Sequence, residues 1–301
     1  MSSPELCILG GTGFIGRHLA ARLNRLGRPH RVLSRRPEAP EALRVLPRTE
    51  HRRCDVYDEA ALRAAFAGCR TVINLVGILH DRDPHGRGFR RAHLELARTV
   101  LAAAQDTGVR HLVHMSALNA DADRGPSHYL RSKGEAEVYL LTFHGDVALT
   151  LLRPSVVFGP GDGFFCRFAR LLRLAPGVFL LPGAHARLAP VYVGDLVERT
   201  IEAIDRPPAQ PRRLALCGPR DGTLLEWVRY TAAVLALRRW ILPLPDTLAW
   251  PLAAIAQQLP GPPLSLDNLR SLRVPAVCGD APRQPTAVED VVPAYLRAGA
   301  P

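Results

Sequence analysis

Tyr129 and Lys133, in the stretch YLRSK, are the two residues of this chain best suited to chemistry. Their spacing of four residues puts both side chains on one face of a helix. A free tyrosine has a pKa of about 10, too high for efficient proton exchange at neutral pH, and a nearby ammonium group lowers it. Ser116 ends the preceding apolar run and can hold a carbonyl or hydroxyl group. The three residues predict a catalytic site for carbonyl–alcohol oxidoreduction.

Lys133 is the only lysine among the 39 lysine and arginine residues of the chain. The spacing Y-x-x-x-K is weak evidence alone, because such pairs occur on many solvated helix faces. A surface charge can be either lysine or arginine, whereas a proton relay needs a compact ammonium group that a forked guanidinium replaces poorly. We interpret the retained lysine as a sign of a chemically competent site.

A glycine-rich loop, GGTGFIG at residues 10–16, lies between an apolar run and a helical pattern. Gly10 permits a tight turn, Gly13 lets the backbone approach a pyrophosphate, and Gly16 lets the following helix pack closely. The free N–H groups at the start of that helix attract phosphates. The loop therefore predicts a dinucleotide-binding site.

Arg35 and Arg36 follow the second predicted strand, where an NAD site usually has an acidic residue for the ribose hydroxyl. Guanidinium groups match a 2′-phosphate in geometry and charge, so NADP(H) is the preferred cofactor. NAD(H) remains the alternative, because in an arginine-rich chain both side chains can simply point to water.

Short apolar runs alternate with helical patterns through the first half of the chain. Strands are predicted at 5–10, 30–34, 50–55, 70–77, 110–116 and 147–154, and helices at 14–27, 58–67, 89–107 and 128–143. This alternation predicts an α/β fold, a Rossmann-type doubly wound parallel sheet that binds its ligand at the carboxyl edge.

Two domains are predicted, because the regular alternation of strands and helices ends after residue 157. A dinucleotide-binding domain takes 1–157 plus 189–219, and a smaller, mainly helical substrate- or partner-binding part takes 158–188 plus 220–301. A helix is predicted at 165–174 and one further strand at 212–218. From residue 222 onward only helices and proline-rich connectors are predicted.

The composition limits the classes of partner. The 301 residues are 47% hydrophobic and carry a formal charge of +11, which favours phosphate-bearing cofactors or an anionic membrane surface. The arginines form no long basic run, so no nucleic-acid partner is predicted. Six cysteines without a C-x-x-C pair, and histidines without ligand spacing, predict a reducing compartment and no metal site.

The segment 240–259 is long enough to span a membrane, but its three prolines and Asp246 argue against a spanning helix. The main interpretation is an amphipathic helix from about Asp246 that packs on its own domain, and an interfacial helix is the alternative. The N-terminal residues show no signal-peptide pattern. A cytoplasmic location is expected, with peripheral contact at the inner membrane face left open, as is the oligomeric state.

The loop GGTGFIG, the stretch YLRSK and the segment LRPSVVFGPGDG together resemble the short-chain dehydrogenase/reductase superfamily, in its extended or atypical form. The segments INLVGIL, PVYVGDL and TAVEDVVPAYL are similar to a subgroup related to the nucleotide-binding accessory subunit of respiratory complex I. This resemblance implies that a further set of residues lies along the cofactor: Thr12, Phe14, Ile15, Asp55, Val56, Val76, Gly77, Lys133, Pro154, Ser155 and Val156.

The chain departs from the motifs of the extended enzymes at two places that bear on whether it catalyses a reaction. His93 stands where an asparagine is usual, and Tyr192-Val193-Gly194-Asp195 replaces an H-V-x-D motif. We therefore expect an NAD(P)-dependent oxidoreductase or epimerase/dehydratase-like enzyme acting on a fairly apolar, quinone-related or isoprenoid small molecule. The alternative is a non-catalytic nucleotide-binding accessory protein of a respiratory or ubiquinone-synthesis membrane complex.

Overall fold

The computed structural model describes residues 4–257 and 264–299. Its centre is one sheet whose strands are β1 Leu6–Leu9, β2 His30–Ser34, β3 Thr49–Arg53, β4 Thr71–Asn74, β5 His111–Met115, β6 Ala148–Pro154 and β11 Arg212–Leu216. The seven strands are parallel, in the order β11-β6-β5-β4-β1-β2-β3. The predicted Rossmann-type sheet is confirmed. Its topological switch point lies between β1 and β4, where such sheets bind ligands.

Helices pack on both faces of this sheet. They are α1 Phe14–Arg25, α2 Glu41–Arg44, α3 Glu59–Phe66, α4 Arg87–Arg90, α5 Leu96–Asp106, α6 His128–Phe143 and α8 Val193–Asp205. Along β1, Cys7 and Leu9 belong to one buried core, and Leu6 and Ile8 to the other. Because both faces are covered, the strand is a continuous apolar run rather than an alternating one.

A third core lies in the C-terminal part, around Trp227, Phe158 and Phe165. The helices of this part are α7 Phe165–Leu174, α9 Leu224–Val234, α10 Asp246–Ala256, α11 Leu266–Ser271 and α12 Val288–Arg297. Its short strands are β7 Val157–Phe158, β8 Val178–Pro182, β9 Arg187–Leu188, β12 Gly222–Thr223 and β13 Trp240–Leu244, and β7 pairs with β10 Val191–Tyr192, which directly precedes α8. This separate core supports the domain division predicted above, which stays a proposal.

The expectation of helices and connectors alone after residue 222 is wrong. Residues 222–223 pair with β9, and β13 pairs in parallel with β8. Two prolines in or beside 240–244 disguise the strand, and its partner lies some 60 residues earlier in the chain. The predicted helix from Asp246 is confirmed as α10.

The cysteines also differ from the expectation of reduced thiols. Cys217, just after β11, forms a disulfide with Cys278, at a Cα–Cα distance of 5.9 Å. A sequence separation of 61 residues gives no local motif, and only folding brings the two thiols together. In the described ranges, no helix is long and apolar enough to cross a membrane, and no cluster of metal-ligating side chains occurs.

Candidate active site

The glycine loop joins β1 to α1, and several of its positions, among them Gly10 and Gly16, leave too little room for a side chain. Gly10 has a φ of +74°, in the left-handed region, and a Cβ there would lie 3.0 Å from the Leu75 carbonyl carbon. A Cβ on Gly16 would lie 2.4 Å from the Gly10 oxygen. Glycine at these positions therefore lets the loop lie against the chain that follows β4 and lets α1 pack directly on the loop.

The start of α1 is open to an anion. Gly13 is its N-cap, so no side chain caps the helix, and its first turn contains no acidic residue. Thr12, Phe14 and Ile15 are each partly exposed around this turn. The free N–H groups and the positive dipole end suit a pyrophosphate, and phosphate binding at this loop stays a prediction.

Arg35 and Arg36 lie at the carboxyl end of β2 and are both exposed. Within the described residues, neither side chain forms a hydrogen bond or an ion pair. The Ser34 hydroxyl instead accepts a hydrogen bond from the Arg36 backbone N–H, at 3.1 Å, which fixes the turn. Two unengaged guanidinium groups are thus available at the position where a ribose 2′ substituent is read.

The ends of β3 and β4 carry further residues of the predicted cofactor site. Asp55 is exposed, and its carboxylate accepts a hydrogen bond from the Tyr57 backbone N–H, while Val56 is buried. Val76 follows β4, and its N–H donates to the buried Asn74 side chain at 3.1 Å. Gly77 is exposed next to it. The backbone after β4 is therefore held in place by Asn74, which the sequence analysis did not single out.

Lys133 is buried on α6 and reaches toward the sheet edge. Its ammonium Nζ donates a hydrogen bond to the Met115 carbonyl oxygen at 2.7 Å. A Cβ on Gly77 would lie 3.4 Å from Nζ and 3.5 Å from His93 Nε2. Burial lowers the pKa of Lys133 to about 8, and the Glu137 carboxylate partly opposes this shift.

Tyr129 lies one turn earlier on α6, among aromatic rings. His93 meets it edge-on at a centroid distance of 5.4 Å and Phe89 at 5.9 Å. Burial raises the pKa of Tyr129 to about 12. The residue pattern predicted that the lysine would lower this pKa. The structure gives the opposite direction, because burial disfavours the charged phenolate and the Lys133 ammonium donates its hydrogen bond to Met115 instead.

Ser116 does not join this pair by a hydrogen bond. Its hydroxyl donates to the buried Glu137 carboxylate, which also pairs with Arg153 at 3.0 Å and Arg213 at 3.2 Å. Arg153 in turn donates to the carbonyl oxygens of the loop after β5. The serine thus belongs to a charged network that anchors α6 and this loop, which sequence spacing did not reveal.

His93 occupies the centre of a π-helical turn, Arg91–Glu95, between α4 and α5. Its Nδ1 hydrogen bonds to the Ser132 hydroxyl at 2.8 Å, and that hydroxyl donates to the Tyr129 carbonyl oxygen. Its Nε2 accepts from the Ile78 N–H at 3.3 Å, so Nδ1 carries the proton. Burial, and then the Lys133 charge, lower the pKa of His93, which keeps the ring neutral.

Two contacts from the C-terminal part complete the site. Asp267, next to the N-cap of α11, accepts hydrogen bonds from the His128 and Tyr129 backbone N–H groups, at 2.8 and 3.1 Å. The buried Ser155 follows β6, beside the buried Pro154 and partly exposed Val156. Its hydroxyl donates to the Ala276 carbonyl oxygen at 2.7 Å. The sequence could not have indicated Asp267, since it lies 138 residues beyond Tyr129.

A parallel sheet in this order, with an uncapped glycine loop at its switch point, defines a dinucleotide-binding Rossmann protein. The tyrosine–lysine pair at the carboxyl edge is typical of the short-chain dehydrogenase/reductase class. The model of the NAD dependent epimerase/dehydratase family matches residues 6–216, and the chain belongs to that family.

Relatives share sequence with this chain, and a solved structure shares its fold. The chain is 27% identical over 237 residues to the mouse mitochondrial NADH dehydrogenase [ubiquinone] 1 alpha subcomplex subunit 9. The aligned residues cover 76% of this chain and 61% of that protein. It is 29% identical over 244 residues to the ceramide reductase of Caulobacter vibrioides, with 80% and 74% covered. The X-ray structure of Pal from Bacillus thuringiensis has the same fold, with a TM-score of 0.76, 14% identity, and 97% and 99% covered.

Proposed function

We propose that this protein is an NADPH-dependent reductase that converts a carbonyl group of a fairly apolar small molecule to a hydroxyl. The observation that carries this proposal is the convergence of Tyr129, Lys133 and His93 beside Gly77, at the same sheet edge as an uncapped phosphate-binding loop. The reduced nicotinamide, when bound, would supply the hydride.

Each residue has a role that follows from its protonation state. With a pKa of about 12, Tyr129 keeps its proton at neutral pH and can donate it to a carbonyl oxygen that receives a hydride. With a pKa of about 8, Lys133 is mostly charged at neutral pH, so its ammonium would stabilise the phenolate that remains. Ser116 could hold the substrate oxygen only after its hydroxyl leaves Glu137.

The preference for NADP(H) rests on Arg35 and Arg36. Both guanidinium groups are exposed and unengaged within the described residues, which suits a 2′-phosphate. The family description names NAD, so NAD(H) remains the alternative cofactor.

An apolar substrate is supported by the surroundings of the tyrosine. Tyr129 and Val274 both pack on the cluster of Ala117, Ala120 and Leu130, and Phe89 lies against the tyrosine ring. These neighbours offer no charge to a substrate at that point. The similarity to a ceramide reductase and to a subunit named for ubiquinone favours a lipid- or quinone-like carbonyl compound.

A second candidate is a nucleotide-binding accessory protein without turnover, held at a membrane complex from the cytoplasmic side. Two observations favour it: the Ser116 hydroxyl is taken by Glu137, and the mouse relative is a respiratory-complex subunit. The chain spans about 61% of that relative's length, so an assembly role is carried over only as a proposal.

The Tyr129→Phe variant separates the two candidates. We expect the purified full-length protein to oxidise NADPH with quinone or long-chain ketone substrates, and Tyr129→Phe to lose this activity about a hundredfold or more, since a positioned general acid contributes roughly that factor. Cofactor affinity should stay unchanged. Tyr139→Phe on the same helix is the matched control, because Tyr139 stacks on Phe143 away from Lys133. Equal turnover in wild type and Tyr129→Phe would contradict the reductase assignment.

A further inference from the structure

The small sheet of β8 and β13 has an outward face made of large apolar side chains. In register, Trp240 pairs with Val178 and Leu242 with Leu180, and all four side chains are exposed, Trp240 by 74%. The alternate residue Ile241 is buried in the third core. Strand residues that face water are usually polar, so this face lacks the expected solvent-facing pattern.

Helix α10 also turns its large apolar side chains outward. Only Pro245 separates this helix from β13. Its buried positions are the small residues Ala249, Ala253 and Ala256. Its large residues Leu248, Leu252 and Ile255 are exposed, Ile255 by 70%, at a spacing that puts them on one stripe. A helix that packs only on its own domain buries its large side chains and exposes the small ones.

The charged residues near this surface are mostly basic. A groove of about 430 Å³ borders the strand face and is lined by Arg229, Arg238 and Arg239 beside Trp240. No acidic residue occurs at 227–245, and none at 163–194, where four arginines flank β8 on both sides. Apart from Asp246, the segment 240–266 carries no charge.

We infer that the β8–β13 face and the outer stripe of α10 form a docking surface for an anionic phospholipid bilayer. Large apolar side chains enter the interface between headgroups and acyl chains, tryptophan favours that depth, and arginines at the border attract lipid phosphates. The arginine border argues for lipid over a second copy of the chain, because two copies of this surface would bring like charges together. This inference goes beyond the proposed reductase function and does not depend on it.

Vesicle flotation with the full-length protein tests the inference. We expect the protein to float with phosphatidylcholine vesicles that contain phosphatidylglycerol and to bind pure phosphatidylcholine much less. Trp240→Ser/Leu242→Ser and Leu248→Ser/Ile255→Ser should each weaken binding at least about tenfold, since each removes two apolar anchors. Arg238→Gln should weaken binding to the anionic vesicles about fivefold, and added salt should do the same.

Matched controls replace exposed residues of the Rossmann part. Val45→Ser/Val138→Ser removes two exposed apolar side chains outside this surface, and Arg44→Gln removes one exposed arginine there. These variants should bind vesicles like the wild type. Because the substituted apolar side chains are exposed, both double variants of the docking surface should also keep the wild-type melting temperature and NADPH affinity. If one double variant fails to fold, vesicle binding by the other tests the inference.

Two outcomes overturn the inference. One is a wild type that stays unbound with anionic vesicles, or double variants of the docking surface that float as well as it does. The other is a dimer by light scattering that Trp240→Ser/Leu242→Ser converts to a monomer without any vesicle binding, which would assign the surface to a second copy of this chain.

Discussion

At the scale of single residues, the site is defined by how burial changes acidity. Tyr129 and Lys133 are one helical turn apart, yet burial shifts the pKa of the phenol up to about 12 and that of the ammonium down to about 8. Both shifts favour the neutral form. At neutral pH the tyrosine therefore keeps its proton, which suits the proposed reduction of a carbonyl better than the oxidation of an alcohol.

The buried lysine should make stability depend on pH. Its pKa in the folded protein lies below the ordinary 10.5, so above about pH 8 the unfolded chain binds more protons at this position than the native one. The stability of the wild type relative to Lys133→Met should therefore rise by about 3 kcal/mol between pH 8 and 10.5. Urea unfolding of both proteins across that range measures it, and parallel curves would show that the lysine is not desolvated.

Arg35 and Arg36 should decide between the two nicotinamide cofactors. Replacing both with glutamine should raise the KM for NADPH about tenfold or more, because a charge-assisted hydrogen bond contributes about 1.5–3 kcal/mol. The KM for NADH should change little, since NADH has no 2′-phosphate. Arg44→Gln, at another exposed arginine, is the control. If the substitutions change the KM for NADPH no more than the KM for NADH, these side chains do not contact the 2′-phosphate and instead point to water.

At the scale of elements, α6 is held in place at its first turn and along its side that faces the sheet. Ser127 is its N-cap and accepts from the Leu130 N–H, while Asp267 accepts from two further N–H groups of the first turn. At the sheet side, the Glu137 network ties α6 to β5, β6 and β11. The helix that carries the tyrosine and lysine is thus positioned by charged groups that the five-residue motif does not contain.

Asp267→Ala should weaken this helix. It leaves two first-turn N–H groups without their acceptor and removes a negative charge from the positive end of the helix dipole, a loss of about 1–2 kcal/mol in unfolding free energy. Turnover should fall as well, because Tyr129 is the second residue of α6. Asp280→Ala, at an exposed loop aspartate, should leave stability and turnover unchanged. Chemical denaturation and steady-state assays measure both, and unchanged stability in Asp267→Ala would exclude the capping role.

At the scale of the whole molecule, the C-terminal part both completes the site and offers a separate surface. Val274, Ala276 and Asp267 reach back to the sheet edge, and the Cys217–Cys278 disulfide joins the same segment to the end of β11. Disulfides are rare in a reducing compartment, so this bond conflicts with the expected cytoplasmic location. Non-reducing mass spectrometry of the native protein shows whether Cys217 and Cys278 are bonded or are free thiols, as a cytoplasmic location would predict.

The sequence by itself determined the sheet, the glycine loop and the tyrosine–lysine pair, because each depends on local signals. A strand buried on both faces is a continuous apolar run, a tight turn requires glycine, and a four-residue spacing fixes a shared helix face. The helices at 128–143 and 165–174 agree with α6 and α7 to the residue for the same reason.

Only the tertiary structure decided what surrounds those groups. The hydrogen bond of Ser116, the contact of Asp267 with α6, the pairing of β13 with β8 and the disulfide all join residues between 21 and 139 positions apart. The direction of the Tyr129 pKa shift depends on the same long-range packing, because desolvation comes from neighbours that the chain brings together only when it folds. Local patterns therefore specified the reacting groups, and the fold set their acidity, their support and the surface beside them.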